Sequence, residues 1–278
     1  MAPGGMGRPR LRTGPVAVPA GCFVCVNLSD LHDIVPGMVR GSTRGERHPL
    51  QAESNGQRVV IVGTGETASL AFEYFCYDSP HEVVAFSAEA PFITADTFCG
   101  LPLVPFEELA KVYPPDEYRA FVSVSLTQLN RVRRRLYDGV RAAGFSCVSY
   151  VSSHAFVLPS ARIGENAFIQ EHVSVQHNVR VGTNVFLSSG TCVGHSSVVE
   201  DDVFTGPHVV ICGMCRIGSS TFMGANCSIS PEVTVAQDCV IGAGANVLTD
   251  TEPRQVYVGS PARPTGRDSF ALLHVKTG

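Results

Sequence analysis

The sequence predicts two segments of different class, a small parallel α/β domain and a β-solenoid behind it. Three observations carry that reading. Strand-like apolar runs alternate with helical patterns between Arg58 and Val151. From Val157 onward the chain divides into six-residue units without an insertion. The first residue of those units is aliphatic or Met at fifteen of sixteen positions, from Val157 to Val247, and only Thr205 breaks the series.

In the front segment, the run RVVIV (Arg58 to Val62) is a buried strand, and the glycine turn Gly63-Thr64-Gly65 joins it to a helix. HEVVAFSA, from His81, is a second strand, FEELAKVY a short helix and RAFVSVS a third strand. In QLNRVRRRLYDGVRAAG, Leu129, Val132, Leu136, Val140 and Ala143 share one helical face. Arg131, Arg133, Arg134 and Arg135 fall mostly off that face and read as a solvated surface rather than a phosphate site. FSCVSYV is a fourth strand. The glycine turn stands where a nucleotide-binding turn stands, and Gly63 and Gly65 would admit a phosphate to the backbone at a helix N-terminus. Ala68 in place of a third glycine, and the negative Glu66, keep a tight turn without ligand as the competing reading.

The six-residue period fits neither a helix nor a flat sheet. It fits a coil in which each unit makes one short side and one corner. Three sides close a triangle, so residues 18 apart stack, and sixteen units make five coils and one further side. At a strand spacing of about 4.8 Å the prism is roughly 25 Å tall. The first position points inward. The fifth, small throughout from Ala161 to Ala245, lies where the interior is narrow. Glycine recurs at the second position, as at Gly194, Gly206 and Gly224.

Composition narrows the function. With 278 residues and a net charge of −4, the chain lacks the basic bias of a nucleic-acid or anionic-membrane binder. No run approaches the roughly 20 apolar residues of a membrane span. Of ten cysteines, Cys215, Cys227 and Cys239 fill the fifth position of their units and read as small hydrophobes of a reducing compartment. The pairs Cys22/Cys25 and Cys212/Cys215 lack a matching pair at zinc-site spacing. Residues 1–57 read as a disordered extension and linker, because Pro15, Pro19 and Gly21 interrupt the apolar run that a secretory signal needs. A cytoplasmic protein is expected.

The hexads, the closing run GAGANVLTDTEPRQVYVGSPAR (Gly242 to Arg263) and the α/β domain in front together resemble the hexapeptide-repeat, left-handed β-helix acyltransferases. The likeness is to sugar O-acyltransferases of the sialic acid O-acetyltransferase type, with the related N-acetyltransferases of nucleotide-linked amino sugars. It covers about residues 58 to 265. It implies a Rossmann-like nucleotide-sugar-binding domain at 58–151, a left-handed parallel β-helix at 152–265 and a tail at 266–278. It also implies a homotrimer, an acyl-CoA (simplest as acetyl-CoA) in the groove between neighbouring prisms, and no metal.

The stretch VGHSSV places His195 third in its hexad, pointing away from the core. An imidazole suits proton removal near neutral pH, and the resemblance makes His195 the general base. Gly213, 18 residues on, is the expected amide donor to the oxyanion. By resemblance the backbone at Gly213, Ala225 and Ala243 lines the CoA groove, and Arg263 or Arg267 meets CoA phosphates. Gly63, Thr64, Gly65 and His177 are assigned to the acceptor. The chain departs from its relatives in two places. Ser196, counted with His195 and Gly213 among the candidate catalytic residues, stands where many have an acid or a second histidine, and Phe204 where some have another histidine. Asp201 and Asp202 read as solvated turn carboxylates. Two other readings stay open: a zinc site of His172, His177 and His195, as in the β-helix carbonic anhydrases, and a catalytically silent trimeric scaffold.

Overall fold

The computed structural model describes residues 56–276. The expected extension up to residue 55, with Cys22 and Cys25, lies outside the described residues. In the front segment β1 (Arg58–Val62), β2 (Glu82–Ala88), β4 (Leu101–Pro105) and β5 (Arg119–Val122) run parallel. β3 (Thr97–Phe98) is antiparallel at the edge, and the order is β3-β4-β2-β1-β5. β1 is covered on both faces, so its alternating side chains enter two cores. Val59 and Ile61 pack with Phe75 of α1 (Glu66–Asp78); Val60 and Val62 pack with Leu136 and Val140 of α3 (Arg131–Ala142). The short α2 (Leu109–Val112) precedes β5.

Two expectations change. The β3–β4 hairpin has no strand pattern in the sequence; it turns at Cys99 and Gly100, both at positive φ. The expected fourth strand joins this sheet only by a single bridge beside β5 and is otherwise taken into the solenoid. Cys147 makes one bridge to Ala120, while β6 (Tyr150–Val151) pairs with β9 (Phe168–Ile169) in the solenoid. Val151 stands six residues before Val157, so the repeat claims it first.

From β6 to β22 (Asn246–Val247) a two-residue strand recurs every six residues. As far as Ser228–Ile229, each pairs in parallel with the strand 18 residues on, as in Ser174↔Cys192 and Cys192↔Val210. Three sheets result. The first face carries β13 (Cys192–Val193), the second β14 (Val198–Val199) and the third β15 (Phe204–Thr205). First positions are buried except for the partly covered Ile163, and fifth positions are buried from Ala161 to Ala245. A fully buried aliphatic side chain contributes about 1.5–3 kcal/mol before its entropy cost. Thr205 finds its partners inside: its Oγ1 accepts the Ser188 N–H at 3.0 Å and lies 3.2 Å from Thr191 Oγ1. The fourth position is the corner. Asn166, Asn184, Ser196 and Asp202 there have φ between 54° and 63°, the left-handed region that short polar residues tolerate best.

The front domain docks on the third face. Phe168, Phe186 and Phe204, outward sixth positions stacked one coil apart, form an aromatic column. Phe168 meets Tyr74 and Tyr150 edge-on at 5.3 and 5.2 Å, and Phe186 stacks on Phe204 at 4.4 Å. Three of the four α3 arginines, Arg131, Arg133 and Arg134, reach into this joint, which corrects their reading as a solvated surface. Arg131 pairs with Asp238, and Arg134 with Asp202 at 2.9 Å. Arg133 is 2% exposed and lies over the Phe204 ring at 5.4 Å. Burial lowers its pKa to about 10. Arg135 alone keeps the surface position: it is exposed and pairs with Glu89 of the front domain at 2.7 Å. Asp202 is likewise not solvated: it is buried and also accepts Asn184 Nδ2 at 2.7 Å. Asp201, partly buried, accepts the Thr183 N–H at 2.8 Å.

At the far end β23 (Gln255–Val258) extends the third face, and β24 (Arg263–Asp268) closes it antiparallel. Asp268 caps α4 (Ser269–Leu272), which sets Phe270 against Leu129 and Val256.

Candidate active site

His195 follows β13 at the corner between the first and second faces. In a three-sided prism this corner is opposite the third face, where the front domain sits. The imidazole is exposed, so a core-packing role is excluded. Two neighbouring coils fix its backbone: the N–H donates to Gln176 Oε1 at 3.1 Å, and the carbonyl accepts the Met214 N–H at 2.8 Å. The ring leans onto the next coil. A β-carbon on Gly213 would stand 2.5 Å from Nε2 and 2.7 Å from Cε1. The Gly213 carbonyl accepts the Glu232 N–H at 3.0 Å, whereas among the described residues the Gly213 N–H makes no hydrogen bond. A proton acceptor and an unspent amide donor therefore share one exposed spot, the pair of groups that acyl transfer requires.

The other predicted residues divide between corners. His177 stacks one coil before His195, with Nδ1 3.0 Å from Ser160 Oγ. Ser196 occupies the left-handed corner at φ 57°, and its N–H donates to the His177 carbonyl at 2.8 Å. Phe204 belongs to the docking column on the third face, away from this corner. Ala225 and Ala243 follow strands of the third face and stack at its junction with the first, so within one chain they do not meet Gly213. Arg263 and Arg267 are exposed on β24.

In the glycine turn, Gly63 serves packing. It has φ 137°, and its β-carbon would stand 2.3 Å from the Ser123 carbonyl oxygen. Gly65, the N-cap of α1, faces open space and Thr64 is half-buried. His172 lies on the corner between the third and first faces, apart from His177 and His195. Among the described residues no group of three His, Cys, Asp or Glu is placed to hold a metal.

Cys215, Cys227 and Cys239 line the prism interior as free thiols. Burial pushes each up, Cys227 to about 12, so they pack as neutral hydrophobes. A separate cavity of about 350 Å³, lined by Tyr74, Asp78, Tyr150, Glu171 and His172 among others, contains none of the residues predicted for acyl transfer. No helix among the described residues is long and apolar enough to cross a membrane.

Comparison with known proteins agrees with this layout. The family described as bacterial transferase hexapeptide (six repeats) matches residues 160–195. Staphylococcus aureus proteins named "Putative acetyltransferase" are 39% identical over 51 residues, 18% of this chain. The aligned part spans only 26% of those relatives' length. Among solved structures, a histidine-to-asparagine variant of perosamine N-acetyltransferase from Caulobacter crescentus, in complex with CoA and GDP-perosamine, is 26% identical. That match covers 77% of this chain and 99% of the other, with a TM-score of 0.68. The acetyltransferase domain of PglB from Neisseria gonorrhoeae, in complex with acetyl coenzyme A, has the same TM-score of 0.68 at 22% identity, covering 75% and 99% of the two chains. The chain thus carries the bacterial transferase hexapeptide repeat, and its fold is the small parallel α/β domain followed by a left-handed β-helix that it shares with sugar N-acetyltransferases.

Proposed function

We propose that the protein is an acyl-CoA-dependent acyltransferase, with acetyl-CoA as the simplest donor and a hydroxyl or amino group of a sugar or nucleotide-linked sugar as acceptor. His195 removes the acceptor's proton as its oxygen or nitrogen attacks the thioester carbonyl. The Gly213 N–H holds the oxyanion. Collapse breaks the carbon–sulfur bond, and the imidazolium returns the proton to the CoA thiolate. The observation that carries this reading is the His195 ring seated against Gly213, whose amide is unspent. The acceptor class is supported by the similarity to an enzyme solved with CoA and GDP-perosamine.

Assembly follows from the corners. Gly213 and Ala225 stand on different edges of one prism, and the front domain covers the face opposite His195. A closed homotrimer would set the His195 corner of one copy beside the Ala225–Ala243 corner of the next, making one groove for CoA and acceptor. Arg263 and Arg267 supply cations for CoA phosphates, and the acceptor's nucleotide is assigned to the turn at Thr64 and Gly65. The reading is of a cytoplasmic enzyme.

The test is CoA release from acetyl-CoA with a panel of nucleotide sugars, using wild type, His195→Ala and His195→Gln. Turnover should fall by about 10²–10⁴-fold in both variants, with melting temperature and solution mass unchanged. Undiminished turnover would remove His195 from the mechanism. A wild-type trimer inert toward every acceptor would favour the scaffold reading.

A further inference from the structure

Several backbone amides at the third hexad position are closed by a side chain 19 positions earlier. Gln170 Oε1 accepts the Ser189 N–H at 3.0 Å, Gln176 Oε1 that of His195 at 3.1 Å, and Glu200 Oε2 that of Ser219 at 3.0 Å. In each case a second-position side chain reaches up one coil and closes the amide. Counting back from Gly213 arrives at Gly194, which has no side chain to offer. The same count from Ala225 and Ala243 arrives at Gly206 and Gly224, and neither alanine N–H has a hydrogen-bond partner among the described residues.

The space is as tight as the chemistry is bare. A β-carbon on Gly194 would stand 2.6 Å from the Gly213 nitrogen and 2.5 Å from the Cys212 carbonyl carbon. Any side chain there would press on the amide itself. The glycine does not occupy a left-handed conformation, so its backbone torsions do not require it; this close approach does.

We infer that Gly194 is a positioning residue, whose missing side chain leaves the Gly213 N–H open to the developing oxyanion beside His195. Gly206 and Gly224 likewise leave the Ala225 and Ala243 amides open to carbonyl groups of the acyl-CoA arm. At these positions a Gln or Glu in the second slot closes the amide one coil on and a Gly leaves it open, whereas Thr183, one coil on from Gly164, is closed from the other side by the Asp201 carboxylate. The inference rests on the acyl-transfer reading for its purpose but not for its geometry.

Two measurements separate the two. Residue-resolved hydrogen exchange on the intact protein, without ligand, should show the Gly213 amide exchanging at least about tenfold faster than those of His195 and Ser219. Gln170→Ala should raise the Ser189 amide to the open class. A Gly213 amide as protected as that of His195, or a Ser189 amide unmoved by Gln170→Ala, overturns the inference whatever the enzyme does. In the transfer assay, Gly194→Ala should lower kcat by about 10²–10³-fold, the cost of losing one oxyanion donor, with KM for acetyl-CoA changed less than threefold. Unchanged kcat in a folded Gly194→Ala protein also overturns it. Should that variant fail to fold, the exchange measurements decide alone.

Discussion

The imidazole of His195 occupies the volume that a β-carbon on Gly213 would need, one coil away. Gly213→Ala should therefore displace the ring rather than unfold the prism. A displacement of about 1 Å in a catalytic group costs on the order of 10²-fold in rate. The variant should lose that much in kcat/KM with little change in thermal midpoint. Added to His195→Ala, it should cost clearly less than it does alone, because residues acting as a unit are not additive.

The prism interior leaves Ile217 fully buried within a column of aliphatic residues. Ile217→Ala should destabilise by about 2–5 kcal/mol, the usual cost of emptying such a site. Ile217→Asp should yield no folded protein, since an unpaired carboxylate there has no compensation. Urea titration followed by circular dichroism distinguishes the two.

The joint between domains holds two charged groups of opposite worth. Asp202 is buried, accepts from Asn184 at 2.7 Å and pairs with Arg134 at 2.9 Å. Asp202→Ala leaves those donors unmet and should cost about 1–3 kcal/mol. Arg133 is buried with an unpartnered Nε and only long contacts of 3.4 and 3.5 Å to backbone carbonyls. Arg133→Met should be neutral or stabilising, as replacements of poorly paired buried charges often are. Differential scanning calorimetry reads both.

His81 predicts a pH response of the front domain. Its ring is half-buried, and Nδ1 accepts the Gln57 N–H at 3.2 Å, a bond only the neutral ring can make. Burial lowers its pKa below the ordinary 6.5. The unfolded chain therefore binds the proton more readily than the folded one. Stability is full above about pH 6.5 and declines as pH falls from there through the folded-state value. Comparing wild type with His81→Asn by thermal melts between about pH 7.5 and 5 should isolate this component. An equal decline in the two proteins would assign it elsewhere.

Much of this molecule is legible in one pass along the chain, because a six-residue period ties every buried position to a fixed slot. Val193, Ile211 and Ile229 declare the interior by spacing alone, and Cys227 is explained by the slot it fills. What escaped was information carried 18 or 19 residues away. Phe168, Phe186 and Phe204 look like scattered aromatics until their stacking makes them a docking column, and only that column turns Arg131, Arg133 and Arg134 from surface into joint. Ser196 invites a chemical explanation, but its slot is set by backbone handedness, as Asn184 and Asp202 in the same slot attest. The β3–β4 hairpin is too short for any period to mark. At the candidate site His195 and Gly213 were within reach of the spacing rule. Gly194 was visible as a repeat glycine, but its meaning needed the hydrogen bonds of its neighbours.

Stacking at intervals of 18 residues has a consequence for how such a chain can change length. Loss of a single hexad would keep every later aliphatic residue inward yet turn everything downstream by one side of the triangle, and a hexad lost between His195 and Gly213 would tear the two apart. Loss of three hexads together would shorten the column by one storey and leave the later edges aligned. Viable length variants of this protein should therefore differ by whole storeys, in steps of eighteen.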